Sequence, residues 1–196
     1  YKERGSMAKM TEIRWHARAG QGAVTAAKLI ADTALSAGAY IQAMPEYGPE
    51  RTGAPLKAYT RVSDQPIEVH NSIKTPDIVV VLDETLLDIV DVLEGIKDDG
   101  VVILNTAMSV ADARKKLNAP ESVKVAVVNA SDIALSTIKR DIPNTPICGA
   151  LAKVTGVVSL DGIKEHLKTT FGKKFTQEII DANLTSVDRA YEEVQE

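Results

Sequence analysis

Thiols and imidazoles are nearly missing from this chain: its 196 residues include one cysteine, Cys148, and three histidines, His16, His70 and His166. Structural zinc usually takes four Cys or His ligands and an iron-sulfur cluster four thiolates, so a single cysteine supports neither. The histidines stand at no helical or hairpin spacing that would present two imidazoles to one metal, and no metal site is expected. Without an even set of cysteines the chain fits a reducing, cytoplasmic compartment. Cys148 then reads as a small buried apolar residue just ahead of a helix, since no neighbouring His or Lys would lower its pKa. Long apolar runs are missing too: the longest, at residues 77–82 and 101–104, fall far short of the roughly 20 residues that cross a bilayer. A net charge of −4 provides no basic stripe for phosphates, so neither nucleic acid nor a membrane is an expected partner.

What is present is a hydrophobic content of 44%, enough for one substantial core, and residues 11–196 are expected to form one domain. Residues 1–10 are polar and charged, with Gly5-Ser6-Met7 reading as a tag remnant, and are expected to be a tag or a disordered N-terminus outside the fold. Residues 11–16 alternate Ile13 and Trp15 with charged neighbours and predict a first strand. A helix follows over 21–37, rich in Ala, Leu, Ile and Lys and closed by Gly38. Residues 40–44 predict a second strand and 46–55 a long loop of prolines, glycines and charges. Leu56, Ala58, Thr60 and Val62 then alternate as a strand, with residues 67–69 as its hairpin partner. From residue 77 an α/β rhythm takes over. Strands are expected at 77–83, 101–104 and 123–128, alternating with helices at 85–96, 109–117 (capped by Ser109, with Asp112 in the capping-box position) and 131–139. Residues 150–158, 160–169 and 176–193 predict three closing helices. The expected fold is α/β: a Rossmann-like three-layer arrangement of a mostly parallel sheet with helices on both faces, a β-hairpin excursion and a helical C-terminus. In such a sheet ligands sit beyond the carboxyl ends of the strands, which directs attention to the loops after His16, Met44, Asp83 and Leu104.

Three stretches could carry chemistry there. In Ala17-Arg18-Ala19-Gly20-Gln21-Gly22 a strand turns into a helix whose first amides could cradle an anion, although a tight packing turn explains the glycines equally well. It lacks the glycine pattern of a dinucleotide fingerprint, and residues 40–44 have no acidic residue to hold a ribose. In the 46–55 loop Arg51 offers a planar fork to a carboxylate or phosphate, with Glu46 or Glu50 as its candidate partner. Asn105-Thr106, at the end of a buried strand, is the third stretch, for which a simple turn ahead of a helix is the competing reading. His16 reads as a hydrogen-bonded structural residue at a strand end, and no catalytic residue is expected in this chain.

The stretch Ile13-Arg14-Trp15-His16-Ala17-Arg18-Ala19-Gly20-Gln21-Gly22-Ala23-Val24 resembles the opening of the gamma subunits of pyruvate and related 2-oxoacid:ferredoxin oxidoreductases. The loop Glu46-Tyr47-Gly48-Pro49-Glu50-Arg51-Thr52-Gly53-Ala54-Pro55, and Pro146-Ile147-Cys148-Gly149-Ala150-Leu151 and Phe171-Gly172-Lys173-Lys174, are similar to further markers of that family. The resemblance implies that thiamine diphosphate with Mg decarboxylates a 2-oxoacid, that 4Fe-4S clusters pass the electrons to ferredoxin, and that coenzyme A usually takes the acyl group. It implies alpha, beta and delta subunits as partners. Thiamine, Mg and clusters would sit on those subunits, with none on this chain alone and coenzyme A at the interface. Arg18, Gly20, Gln21, Gly22, Glu50, Arg51, Asn105 and Thr106 are then the expected cofactor-binding residues. Ala17 and Ala19 stand where the family has glycine, which keeps a coenzyme A-independent relative such as oxalate oxidoreductase open as an alternative. A free-standing nucleotide or small-ligand binding protein and a purely structural subunit are the other readings.

Overall fold

The computed structural model describes residues 9–46 and 51–196. Its centre is a six-stranded sheet built from β1 (Met10–Arg18), β2 (Tyr40–Glu46), β3 (Pro55–Ser63), β4 (Ile78–Val81), β5 (Val101–Asn105) and β6 (Lys124–Val128), in the order β2-β3-β1-β4-β5-β6. β1 runs parallel to β4, β4 to β5 and β5 to β6, whereas β3 lies antiparallel between β1 and β2. The sheet is therefore a parallel half joined to an antiparallel half along β1.

One face carries most of the helices. α1 (Ala23–Ser36), α3 (Ala130–Thr137), α4 (Asn144–Thr155), α5 (Leu160–Phe171) and α6 (Gln177–Glu193) pack on it around Ile13, Trp15, Ile78, Val80 and Ile103. Trp15 is wholly buried and donates its indole N–H to Thr60 Oγ1 at 3.0 Å, and that hydroxyl donates in turn to the α1 carbonyl of Ala27, so the core contains no orphaned donor at this point. The opposite face is divided. Over β4, β5 and β6 it is apolar, with Val79, Val81, Val102, Leu104, Val125 and Val127 covered by α2 (Val110–Leu117) and by Val92 and Leu93. Over β1, β3 and β2 it is polar. Glu12, Arg61 and Gln42 lie in one cross-strand row, Arg14, Tyr59 and Met44 in the next, and His16, Lys57 and Glu46 in the last.

The polar rows explain where the sequence-based expectations miss. Residues 85–96 form no α-helix. A 3-10 turn, Glu84–Asp88, gives way to irregular chain, and the buried Arg14 takes the carbonyls of Val92 at 3.0 Å and Glu94 at 2.6 Å. Residues 67–69 form no strand: β3 has both its edges filled by β1 and β2, and the Val69 carbonyl instead accepts from Gln42 Nε2. β2 runs on to Glu46, with Pro45 accommodated because β2 is an edge strand. α4 begins at Asn144, ahead of the expected 150, since Pro146 falls in the first turn, where a missing N–H is tolerated, and Cys148 lies within this helix. Lys9 and Met10, expected outside the fold, belong to it: Met10 opens β1 opposite Ser63 and the Lys9 amide bonds Asp64 Oδ1. Residues 1–8 lie outside the described residues. Ser109 caps α2 as expected, accepting from the Asp112 amide at 3.1 Å.

α4 and α6 cross at Gly149, where an added Cβ would stand 2.2 Å from the Val187 carbonyl oxygen. That is backbone against backbone, and neither helix can give way alone. Gly149→Ala is expected to destabilise the chain by about 2 kcal/mol, read as a lowered urea midpoint with unchanged slope; wild-type stability in this variant would refute the close crossing.

Candidate functional site

The parallel strands all end on one edge of the sheet, and the first of the sequence-derived candidates is built there by β1. Its extended backbone runs through Ala17 to Arg18, and the chain turns only afterwards, through Gly20 at φ 96° and Gly22 at φ 83°. These left-handed conformations suit glycine. Ala17 is a strand residue with its side chain in the core, and neither it nor Ala19 is among the residues at positive φ. The two alanines therefore leave the turn itself unobstructed. Gly22 also accommodates a neighbour, since an added Cβ would lie 2.5 Å from Asn144 Nδ2 at the start of α4. α1 begins at this glycine with no side-chain cap and no acidic residue in its first turn, which leaves the positive end of the helix dipole uncompensated by its own sequence.

A closed set of hydrogen bonds ties this turn to the loop after β4. The Arg18 amide donates to Gln21 Oε1 at 2.7 Å, and Gln21 Nε2 donates to Asp83 Oδ2 at 2.7 Å. Asp83 Oδ1 accepts from the Thr85 amide and hydroxyl, and Arg18 Nε donates to Thr85 Oγ1 at 3.0 Å while standing 3.4 Å from Asp83 Oδ2. Burial opposes ionisation of Asp83, but the bonds from Thr85 and Gln21 and the Arg18 charge outweigh it and hold the carboxyl below its ordinary value. Arg18 Nη1 also donates to the Gly53 carbonyl, and the Ala19 amide to that of Ala54, so the segment from Arg51 folds back against the glycine turn.

Arg18, Gly20, Gln21, Gly22 and the exposed Arg51 thus share one end of β1, while Glu50 lies outside the described residues. Glu46, one candidate partner for Arg51, instead accepts the hydroxyl proton of Tyr59. Asn105 commits its side chain to the scaffold, donating to the Leu82 carbonyl and Ser131 Oγ and accepting from the Ser131 amide. Thr106 donates to the Glu84 carboxylate and accepts from the Met108 amide. Asp83 and Thr85 were not singled out by sequence reasoning. Their signal was present as an Asp at the end of a buried strand with Thr two residues on, the pattern of a side chain capping a turn. Cys148 is wholly buried and burial pushes its thiol above the ordinary range. Among the described residues no three His, Cys, Asp or Glu side chains gather as a metal site.

Residues 12–193 match the family model described as pyruvate ferredoxin/flavodoxin oxidoreductase. The chain belongs to this oxidoreductase family. Within it the chain is a gamma subunit. It is 51% identical over 187 residues to the pyruvate synthase subunit PorC of Thermotoga maritima, covering 95% of this chain and 96% of that one. It is 45% identical over 186 residues to the pyruvate/ketoisovalerate oxidoreductases common subunit gamma of Pyrococcus furiosus, covering 95% and 98%. The crystal structure of the pyruvate oxidoreductase subunit PORC from Thermotoga maritima superposes with a TM-score of 0.85 at 48% identity, over 95% of this chain and 98% of that one.

His16 lies two residues before the end of β1, 2% exposed, and accepts from Arg14 Nε at 3.0 Å through Nε2. Burial first, then the charges of Arg14 and Lys57, lower its pKa to about 3. An unfolded histidine titrates near 6.5, so as pH falls from there toward about 3 the unfolded chain binds a proton that the folded chain refuses, and stability declines. Between pH 7.5 and 4.5 this residue is expected to remove about 2.5 kcal/mol of stability. Urea titrations should find that part of the acid loss absent from His16→Asn; equal losses in the two proteins would refute it.

Proposed function

We propose that this chain serves a thiamine diphosphate-dependent pyruvate:ferredoxin oxidoreductase in the cytoplasm, and that its glycine turn and Arg51 segment form the coenzyme A side of the active site. The observation that carries the reading is the convergence, at one end of β1, of an uncapped α1 N-terminus, the Gly20 and Gly22 turn, and two arginines, Arg18 and Arg51. These groups suit a phosphate-bearing acyl acceptor: helix amides and the dipole favour negative charge, and a guanidinium fork matches phosphate oxygens. Arg18, held by Thr85, Asp83 and the Gly53 carbonyl, supplies fixed charge, while the exposed Arg51 supplies a reach toward solvent. Coenzyme A, when bound, would supply the thiol that accepts the acyl group. This chain's contribution is to bind and orient it. Thiamine diphosphate with Mg, and the 4Fe-4S clusters that reduce ferredoxin, belong on this reading to alpha, beta and delta subunits.

The likeness to pyruvate synthase and pyruvate oxidoreductase subunits supports pyruvate as the substrate. A branched 2-oxoacid is the second reading, favoured by the relative named as a subunit common to pyruvate and ketoisovalerate oxidoreductases. In the reconstituted enzyme, Arg51→Ala is expected to raise KM for coenzyme A about tenfold, the worth of one charge-assisted hydrogen bond, with KM for pyruvate unchanged. An unchanged KM for coenzyme A would sink the assignment of this face.

A further inference from the structure

One group near the site is left without work by the function proposed above. His16 faces the polar side of the sheet, and it also lines a cavity of about 110 Å³ together with Glu46, Pro55, Leu56, Lys57, Leu86 and Val90. An arginine has only donors, so the 3.0 Å bond from Arg14 Nε obliges His16 Nε2 to keep its lone pair. The proton of the neutral ring is then on Nδ1. Nδ1 forms no hydrogen bond with a described residue, and because no side-chain nitrogen sealed from solvent lacks a partner, it opens on the cavity that the ring lines. We propose that His16, its proton fixed on Nδ1 by Arg14, is a hydrogen-bond donor to a neutral carbonyl oxygen, carried by an amide-sized group that seats in this cavity.

Size, wall and charge each narrow the ligand. The volume is somewhat below the roughly 150 Å³ that admits benzene, and so suits a group of a few heavy atoms. Pro55, Leu56, Leu86 and Val90 form an apolar wall in which an ionised group would lose its water without adequate replacement. A cation is further opposed by Lys57 and by Arg14, while an anion, which those charges would favour, is opposed by the Glu46 carboxylate and by the loss of its water at the apolar wall. A neutral amide or ester carbonyl meets none of these objections. Arg14 acts as a positioning residue: it touches no ligand but sets the tautomer of the ring that does. The carbonyl can come from an amide of the coenzyme or from an amide of a neighbouring subunit. Only the first source rests on the function proposed above.

The test on the full chain uses 15N-histidine labelling and long-range 1H–15N spectra, with His16 assigned through its loss in His16→Asn. A ring neutral with Nδ1 protonated between about pH 5 and 8 is expected, and N-methylacetamide should move that nitrogen saturably while acetate and methylammonium do not. A protonated Nε2, an imidazolium, or a stronger response to acetate would overturn the proposal. In the reconstituted enzyme, His16→Phe should raise either KM for coenzyme A or the dissociation constant of the subunits about tenfold, with partial recovery in His16→Asn, which keeps an N–H donor. The first result identifies the coenzyme as the source and the second the neighbouring subunit. Neither rising would also overturn the proposal. The tautomer and the amide response are independent of Arg51, so a failure of the coenzyme assignment leaves them to be judged separately.

Discussion

The fold of the antiparallel half depends on what a buried guanidinium demands. Arg14 is only 4% exposed, and a cation so placed is tolerated only if its donors find acceptors. They find them in His16 and in the carbonyls of Val92 and Glu94, with the Lys74 carbonyl more distant at 3.5 Å. Arg61 follows the same rule one row along, bonded to Glu12, Gln42 and Asn71. Because the acceptors are main-chain carbonyls and short polar side chains, the chain over this half must stay irregular. A helix there would spend the same carbonyls on its own amides. The irregular cover is thus the counterpart of the two arginines beneath it.

This division is also what separates the legible parts of the sequence from the rest. The parallel strands could be read because Ile78–Val81 and Lys124–Val128 are wholly or nearly apolar runs, buried on both sides as their residues require. The helices could be read from their periodicity and, for α2, from the Ser109 cap. The stretch after β4 was misread because Leu86, Val90 and Leu93 have helical spacing and nothing local announces that Arg14, some 80 positions earlier, will claim Glu94. A long-range acceptor demand of this kind leaves no periodic trace.

For the candidate site, the glycine turn was legible and its supports were not. Gly20 and Gly22 declare themselves as residues able to take positive φ, and both do. The nearby alanines were harder to interpret, because spacing alone cannot tell where a strand stops. With β1 running through Arg18, the side chain of Ala17 belongs to the core. Asp83 and Thr85 gain meaning only through Gln21 and Arg18, which the topology brings beside them from another loop. The family markers farther along the chain have similar scaffold reasons: Gly149 allows two helix backbones to meet, and Phe171 stacks edge-on against Phe175 at 5.0 Å.

The order of parts along the chain has a further consequence, for folding. β1, β2 and β3 are complete by Ser63, so their antiparallel pairing can form before any parallel pairing, each of which needs β4 or a later strand. The donors of Arg14 and Arg61 are therefore in place before three of their acceptors, Asn71, Val92 and Glu94, have been reached. Removing water from both guanidiniums without loss requires those later residues, so sealing of this half of the sheet is tied to the arrival of the chain that covers it.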